Sequence, residues 1–159
     1  MMKMSLAREV SFKFLYHINM SLYSTIESSK EGKFKVFGEN MINEFDSTFA
    51  EFCTSYGRED SEHPDNNISE EVKGLAREFL NEIFKNLENI IQTFQPHLKN
   101  ENLTKVEKID LCCLILGTYE LMYRDTPKKV AIKETLNIGQ KYGGSTTPQF
   151  LNAVLDKLK

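Results

Sequence analysis

Residues 109–123 read IDLCCLILGTYELMY, and this stretch decides the architecture. Its charged side chains are Asp110 and Glu120, and the apolar residues between them keep neither to the alternation of a strand nor to one helical stripe. A helix that is apolar almost all round has to be enclosed by other helices, because no face of it is left for water. Thr104 and Glu107 stand just ahead at capping-box spacing, which predicts where the helix starts. The rest of the chain must supply the walls.

Working outward, Thr126-Pro127 and Thr147-Pro148 repeat one arrangement, an N-cap followed by a first-turn proline, so a helix is expected after each. Gly143 and Gly144 end the first of these, and Leu151, Val154, Leu155 and Leu158 give the second a compact stripe. Upstream, Val72, Ala76, Phe79, Ile83, Leu87 and Phe94 belong to one long period that starts at Ser69 and stops before Pro96. Met41, Phe45, Phe49, Phe52 and Tyr56 suggest a helix around 38–56. Ala7, Val10, Phe14, Ile18 and Leu22, behind Ser5 as N-cap, predict helix one over about 6–23. STIESSKEGK reads as a polar connection and GREDSEHPDNN as a turn-rich loop. With no glycine-punctuated strands and no repeat, the expected fold is all-α, with six or seven helices.

The 159 residues fit one domain, and 40% hydrophobic with 27% charged residues is a globular composition. A net charge of -3 and a pI near 5.7 leave no basic excess, so nucleic-acid binding has to rest on a local patch. Cys53, Cys112 and Cys113 form no disulfide framework and read as reduced core residues. The N-terminal stretch is broken by Arg8, Glu9 and Lys13 and lacks the core of a signal peptide. No segment reaches the roughly 20 apolar residues of a membrane span, so a cytoplasmic location is expected. There is no phosphate-cradling glycine loop. His17, His63 and His97 are too scattered for a zinc site, and the acidic pairs sit where solvation explains them. Neither a cofactor nor a metal is expected, and nothing nominates an enzyme.

One pattern is left over. Arg8, Phe12 and Tyr16 recur every four residues on the side of helix one away from its main stripe, a basic and aromatic ridge of the kind that binds unpaired RNA. The competing reading is a helix sandwiched between neighbours, with both rings in the core. Phe150 and Asn152 lie off the centre of the last stripe; the ring is either a core rim or a base-stacking face, and the amide meets a base edge or, as favoured here, caps nearby backbone.

IDLCCLILGTYEL, TPKKVAIKETLNIGQKYGG and QFLNAVLDKL, in this order, resemble the NusB family of bacterial transcription antitermination factors. The resembling positions are Phe150, Asn152, Val154, Leu155 and Asp156; Val130, Ala131, Ile132 and Glu134; and Ala7, Arg8, Glu9, Leu15 and Tyr16. The resemblance runs through roughly residues 5–22 and 70–159. It implies one NusB-like domain, a bundle of about seven helices in two small helical subdomains. These would cover about 1–95, with a long loop insertion at 24–66, and about 96–159.

The resemblance further implies a non-enzymatic adaptor that binds boxA-type single-stranded leader RNA together with the ribosomal protein NusE and then joins the RNA polymerase elongation complex. The RNA-binding set it suggests is Lys3, Arg8, Phe12, Tyr16, Phe150 and Asn152, and the partner-binding acids are Glu107 and Asp110, which could instead serve the helix start. This chain departs from the family in offering only Lys3 and Arg8, with Lys13 further along, where several arginines are common. It also has Ile115 and Gln149 at usually basic positions, while Lys133 returns one charge. Weaker RNA binding by the protein alone is therefore expected. The rival reading is a protein-interaction module, a homodimer that hides the same aromatic surface and has no RNA binding of its own.

Overall fold

The structure, a computed structural model, describes residues 2–59 and 68–158; His63 and most of the expected turn-rich loop lie outside the described residues. Eight α-helices follow in order: α1 (Met2–His17), α2 (Asn19–Glu27), α3 (Lys33–Glu59), α4 (Glu70–Lys85), α5 (Leu87–Phe94), α6 (Lys108–Tyr123), α7 (Lys128–Tyr142) and α8 (Thr147–Leu155). There is no strand among the described residues, and the fold is all-α.

The apolar stretch that opened the sequence is α6, and all ten residues from Leu111 to Glu120 are buried. Helices α1, α5, α7 and α8 pack around it, and α1 also lies along α4. Phe14, on α1, meets the rings of Phe45, Phe49, Phe52 and Phe84 edge-on at 5.4–6.2 Å. Edge-to-face pairs of this kind each add about 0.5–1.5 kcal/mol beyond the area they bury. That cluster is what holds α3 against α1 and α4.

Several local expectations are corrected. The helix expected around 38–56 is present and longer, over 33–59, so the loop insertion that the resemblance implied at 24–66 is largely helical, its phenylalanines packed into the Phe14 cluster. The single helix over 6–23 is two. It starts earlier, so Ser5 is no cap but donates to Glu134 at 2.9 Å, and it breaks at Ile18. The long helix after Ser69 also divides, at Asn86, whose amide side chain donates to the Glu82 carbonyl and competes with the backbone. These two breaks account for the extra helices. Ser69 does cap α4, accepting from the Val72 N–H at 3.2 Å.

The capping box fails. Thr104 bonds to Asn102 in a 3₁₀ turn, and Glu107 precedes α6 without a side-chain cap. The other two caps shift by one residue. Pro127 itself precedes α7 while Thr126 donates to Glu120, and Thr146 precedes α8 while Thr147 is its first residue.

Two glycines set close approaches. A Cβ on Gly38 would lie 2.1 Å from the Phe84 carbonyl oxygen, so α3 and α4 touch there backbone to backbone. At Gly143 a Cβ would lie 2.6 Å from the Thr147 hydroxyl, which itself accepts from the Gly144 N–H at 3.1 Å; this tight turn brings the end of α7 beside the start of α8.

Candidate nucleic-acid interface

Because α1 packs on both α4 and α6, and side chains of α7 reach it through Glu134 and Lys141, the face carrying Arg8, Phe12 and Tyr16 is not simply an outer face. Arg8 is 4% exposed and forks onto Glu120, with Nε 2.8 Å from Oε1 and Nη2 2.6 Å from Oε2. Its Nη1 lies 3.6 Å from Glu134, and the Thr126 hydroxyl donates to Glu120 at 2.7 Å. The Glu120 hydrogen bond raises the guanidinium pKa against the opposing effect of burial. The expectation that Arg8 lies open to a strand is corrected: it joins α1, α6 and α7 in the interior. Phe12, 3% exposed, is likewise core and not ridge.

Tyr16 is open, at 42% exposure. It lines a cleft of about 450 Å³ with Tyr23, Lys105, Glu107 and Lys108, where the Tyr23 hydroxyl donates to the Val106 carbonyl. Glu107 is exposed in that cleft, so the acid expected to meet a protein partner and the ring expected to meet RNA share one surface. Asp110 is half-buried on the first turn of α6. Burial raises its pKa, the Thr147 hydroxyl bonded to it pulls the other way, and Glu107 adds to the rise.

Lys3 is exposed and paired with Glu71 at the start of α4. Thirteen residues of helix, about 20 Å, separate it from Tyr16, and the structure does not bring them together. Phe150 is half-buried on α8, packed against the core one turn beyond Thr147. Asn152 is exposed on a different groove, of about 460 Å³, between α7 and α8, with Lys129, Lys133 and Asp156. It donates no cap to neighbouring backbone among the hydrogen bonds described, and the structural role favoured for it has no support there.

What sequence reasoning missed sits where α1 meets the end of α7. The Phe12 ring stacks on Tyr142 at 5.2 Å and on Tyr16 at 6.5 Å, so a buried ring stands between a half-buried and an open one. Lys13 and Lys141 each place Nζ 5.3 Å from the Tyr142 centroid, within cation–π range. Glu9 accepts from Lys141 at 2.6 Å and from the Tyr142 hydroxyl. Burial pushes the Glu9 carboxyl up, but those two hydrogen bonds and the charges of Lys141 and Lys13 together outweigh it and hold the pKa below the usual carboxylate range. The available signal was a basic-aromatic pair just before Gly143, and it gains meaning only once the partner helix is known. No group of His, Cys, Asp and Glu suited to a metal occurs among the described residues, and no described helix is long and apolar enough to cross a membrane.

Comparison with known proteins gives this geometry its context. The sequence profile of the NusB family matches residues 5–159. The chain belongs to the NusB family. Transcription antitermination protein NusB of Campylobacter concisus (strain 13826) is 34% identical over 117 residues, covering 74% of this chain and 85% of that protein. Its counterpart in Clostridium novyi (strain NT) is 30% identical over 131 residues, covering 82% and 94%. The solved structure of T. maritima NusB matches with a TM-score of 0.65 at 22% identity over 97% of this chain and 88% of that one, a likeness that bears on the fold. The all-helical NusB architecture and a place among antitermination factors are thus established for this chain. The family profile spans nearly the whole of it, including the end of α7 and all of α8.

Proposed function

We propose that this protein is a non-enzymatic RNA-binding adaptor of transcription antitermination, holding boxA-type single-stranded RNA together with the ribosomal protein NusE and handing both to the elongating RNA polymerase. One observation carries the reading: Tyr16, open to solvent and stacked on Phe12, lines a cleft with Tyr23, Lys105 and Lys108. Single-stranded RNA is bound by this combination, rings for bases and cations for phosphates.

In this reading Tyr16 and Phe150 contact bases, while Arg8 and Phe12 act from the interior by fixing α1. Lys3 and Asn152 lie on outlying surfaces that a longer strand would have to reach. Glu107 faces the protein partner across the cleft that Tyr16 also lines, and Asp110, one turn on and half-buried, supports it from the start of α6. The chain is read as one NusB-like domain of two helical halves divided near residue 95, with α1 packed on both α4 and α6 and so joining them.

The test is a gel shift with boxA-type RNA and the ribosomal partner. The parent protein should shift the RNA, and a Tyr16→Ala, Phe150→Ala double variant should lose the shift. If the double variant binds as well as the parent, the assigned surface is wrong.

A further inference from the structure

We propose that the groove between α7 and α8 is a second RNA segment site, in which Lys129 and Lys133 hold phosphates of a strand that continues past Tyr16 while Asp156, Asn152 and Gln140 read the edges of its bases. The inference rests on the RNA-binding reading above and extends it to a surface that the Tyr16 cleft does not reach.

The two sides of the groove differ in chemistry. Along α7, Lys129 and Lys133 stand one helical turn apart, and Gln140 lies further along the same side. Along α8, Pro148, Asn152 and Asp156 recur every four residues and face them across Ile132 and Leu136. Among the described residues no hydrogen bond or ion pair engages the side chains of Lys129, Lys133, Gln140, Asn152 or Asp156. Lys128 is the contrast. Its ammonium donates to the Asp156 and Leu158 carbonyls at 3.0 and 2.5 Å, which ties the end of α8 to the start of α7 and fixes the width of the groove.

This arrangement orients a strand. Like charges at the Lys129–Lys133 spacing weaken a helix slightly, and a phosphate held by both removes the repulsion. A carboxylate only accepts, so Asp156 repels a phosphate and takes N–H groups from a base. Phosphates therefore follow α7 and base edges turn to α8, with the Asn152 and Gln140 amides offering both donors and acceptors. A second depression of about 400 Å³, bordered by Gly143, Gly144 and Ser145, shares Gln140 and Pro148 with the groove. It leads to the end of α7, where Tyr142 is joined through the Phe12 ring to Tyr16. A Cβ on Gly144 would meet nothing within 4 Å, so a strand can pass close to the backbone there. From Lys129 to Tyr142 the helix rises about 20 Å, room for several extended nucleotides.

The experiment is an anisotropy titration of a labelled boxA-type RNA oligonucleotide, and of the same RNA lengthened by a few nucleotides at its 5′ or its 3′ end, against the full chain with its ribosomal partner over a salt series. One of the lengthened RNAs should bind the parent more tightly than the short one. For that RNA alone, Lys129→Met and Lys133→Met should each weaken binding and flatten the plot of log affinity against log salt by about 0.7. An extension carrying guanine, whose N1–H and N2–H lie side by side for a carboxylate, should be held about fivefold more tightly than one carrying uracil, and Asp156→Asn should erase that preference. Thermal unfolding checks that each variant is folded. If lengthening adds nothing, if the lysine variants leave the lengthened RNA unaffected, or if they weaken both RNAs alike, the groove site is overturned; Tyr16→Ala still weakening the short RNA then leaves the RNA reading standing. If the parent binds neither RNA at any salt, the functional reading falls and takes this inference with it. If the lysine variants instead lose the ribosomal protein in the absence of RNA, the groove is a protein contact and the proposal is overturned.

Discussion

Arg8 and Glu120 meet as a two-pronged pair, 2.8 and 2.6 Å, with both side chains closed to solvent. Together they join the start of the chain to the centre of the bundle. Removing one partner strands the other as a buried charge, so Arg8→Ala or Glu120→Ala should cost about 3–5 kcal/mol in denaturant unfolding. Arg8→Lys keeps the charge but not the fork and should still be markedly destabilised. RNA affinity measured well below each variant's unfolding midpoint should keep the parent's salt slope, because this guanidinium does not face a phosphate. A flattened slope would argue for a direct contact after all.

The approach of α3 to α4 at Gly38 leaves no room for a methyl group, and the obstacle is the backbone of Phe84. Gly38→Ala should therefore lower stability by about 1–3 kcal/mol through overpacking, in spite of the better helix propensity of alanine. Thermal unfolding reads this directly. A variant as stable as the parent would mean that α3 sits further from α4.

Glu9 and Asp110 should give stability opposite slopes with pH. The Glu9 pKa is lowered in the folded protein, so the unfolded chain holds more protons and the contribution of Glu9, present above its ordinary value of 4.5, is lost as pH falls through the folded value. The Asp110 pKa is raised, so the folded chain holds more protons and stability falls as pH climbs from its ordinary value of 3.8 through the folded one. Glu9→Gln should remove the rising component and Asp110→Asn the falling one. Urea unfolding between about pH 3 and 7 separates them, and identical pH profiles for the two variants would contradict both assignments.

Tyr23 donates its hydroxyl to the Val106 carbonyl, and burial pushes its pKa up to about 12. Tyr23→Phe should cost about 1 kcal/mol by leaving that carbonyl without its donor. In the parent, the stability tied to this phenol is present below the ordinary value of 10 and lost as pH rises from there to about 12. An ultraviolet titration should show phenols ionising above the ordinary value of 10, and Tyr23→Phe should remove part of that late component. If all the phenols ionise together near 10, the Tyr23 bond is not present in solution.

The fold was legible to the extent that burial was periodic. Leu111 to Leu116 and Tyr119 could only be interior, and the stripe of α8 matched what it packs against. Boundaries were less legible. Asn86 and Ile18 break helices whose apolar period continues across them, and α3, expected around 38–56, runs from 33 to 59. At the candidate site the spacing that aligned Arg8, Phe12 and Tyr16 on one face of α1 was sound, but spacing records neighbours within a helix and says nothing of what lies opposite. Glu120 and Tyr142 stand opposite, and they decide that Arg8 and Phe12 are interior while Tyr16 is not.

By itself, then, the sequence determined the helical class, the enclosed central helix and the kinship carried by its motifs, because each depends on residue type at short separations. Only the tertiary structure decided which charges are spent inside the protein and which face water. The buried fork of Arg8 and the pairing of Glu9 with Lys141 both join residues more than a hundred positions apart. Desolvation and distance set their chemistry, and neither quantity exists until the chain has folded.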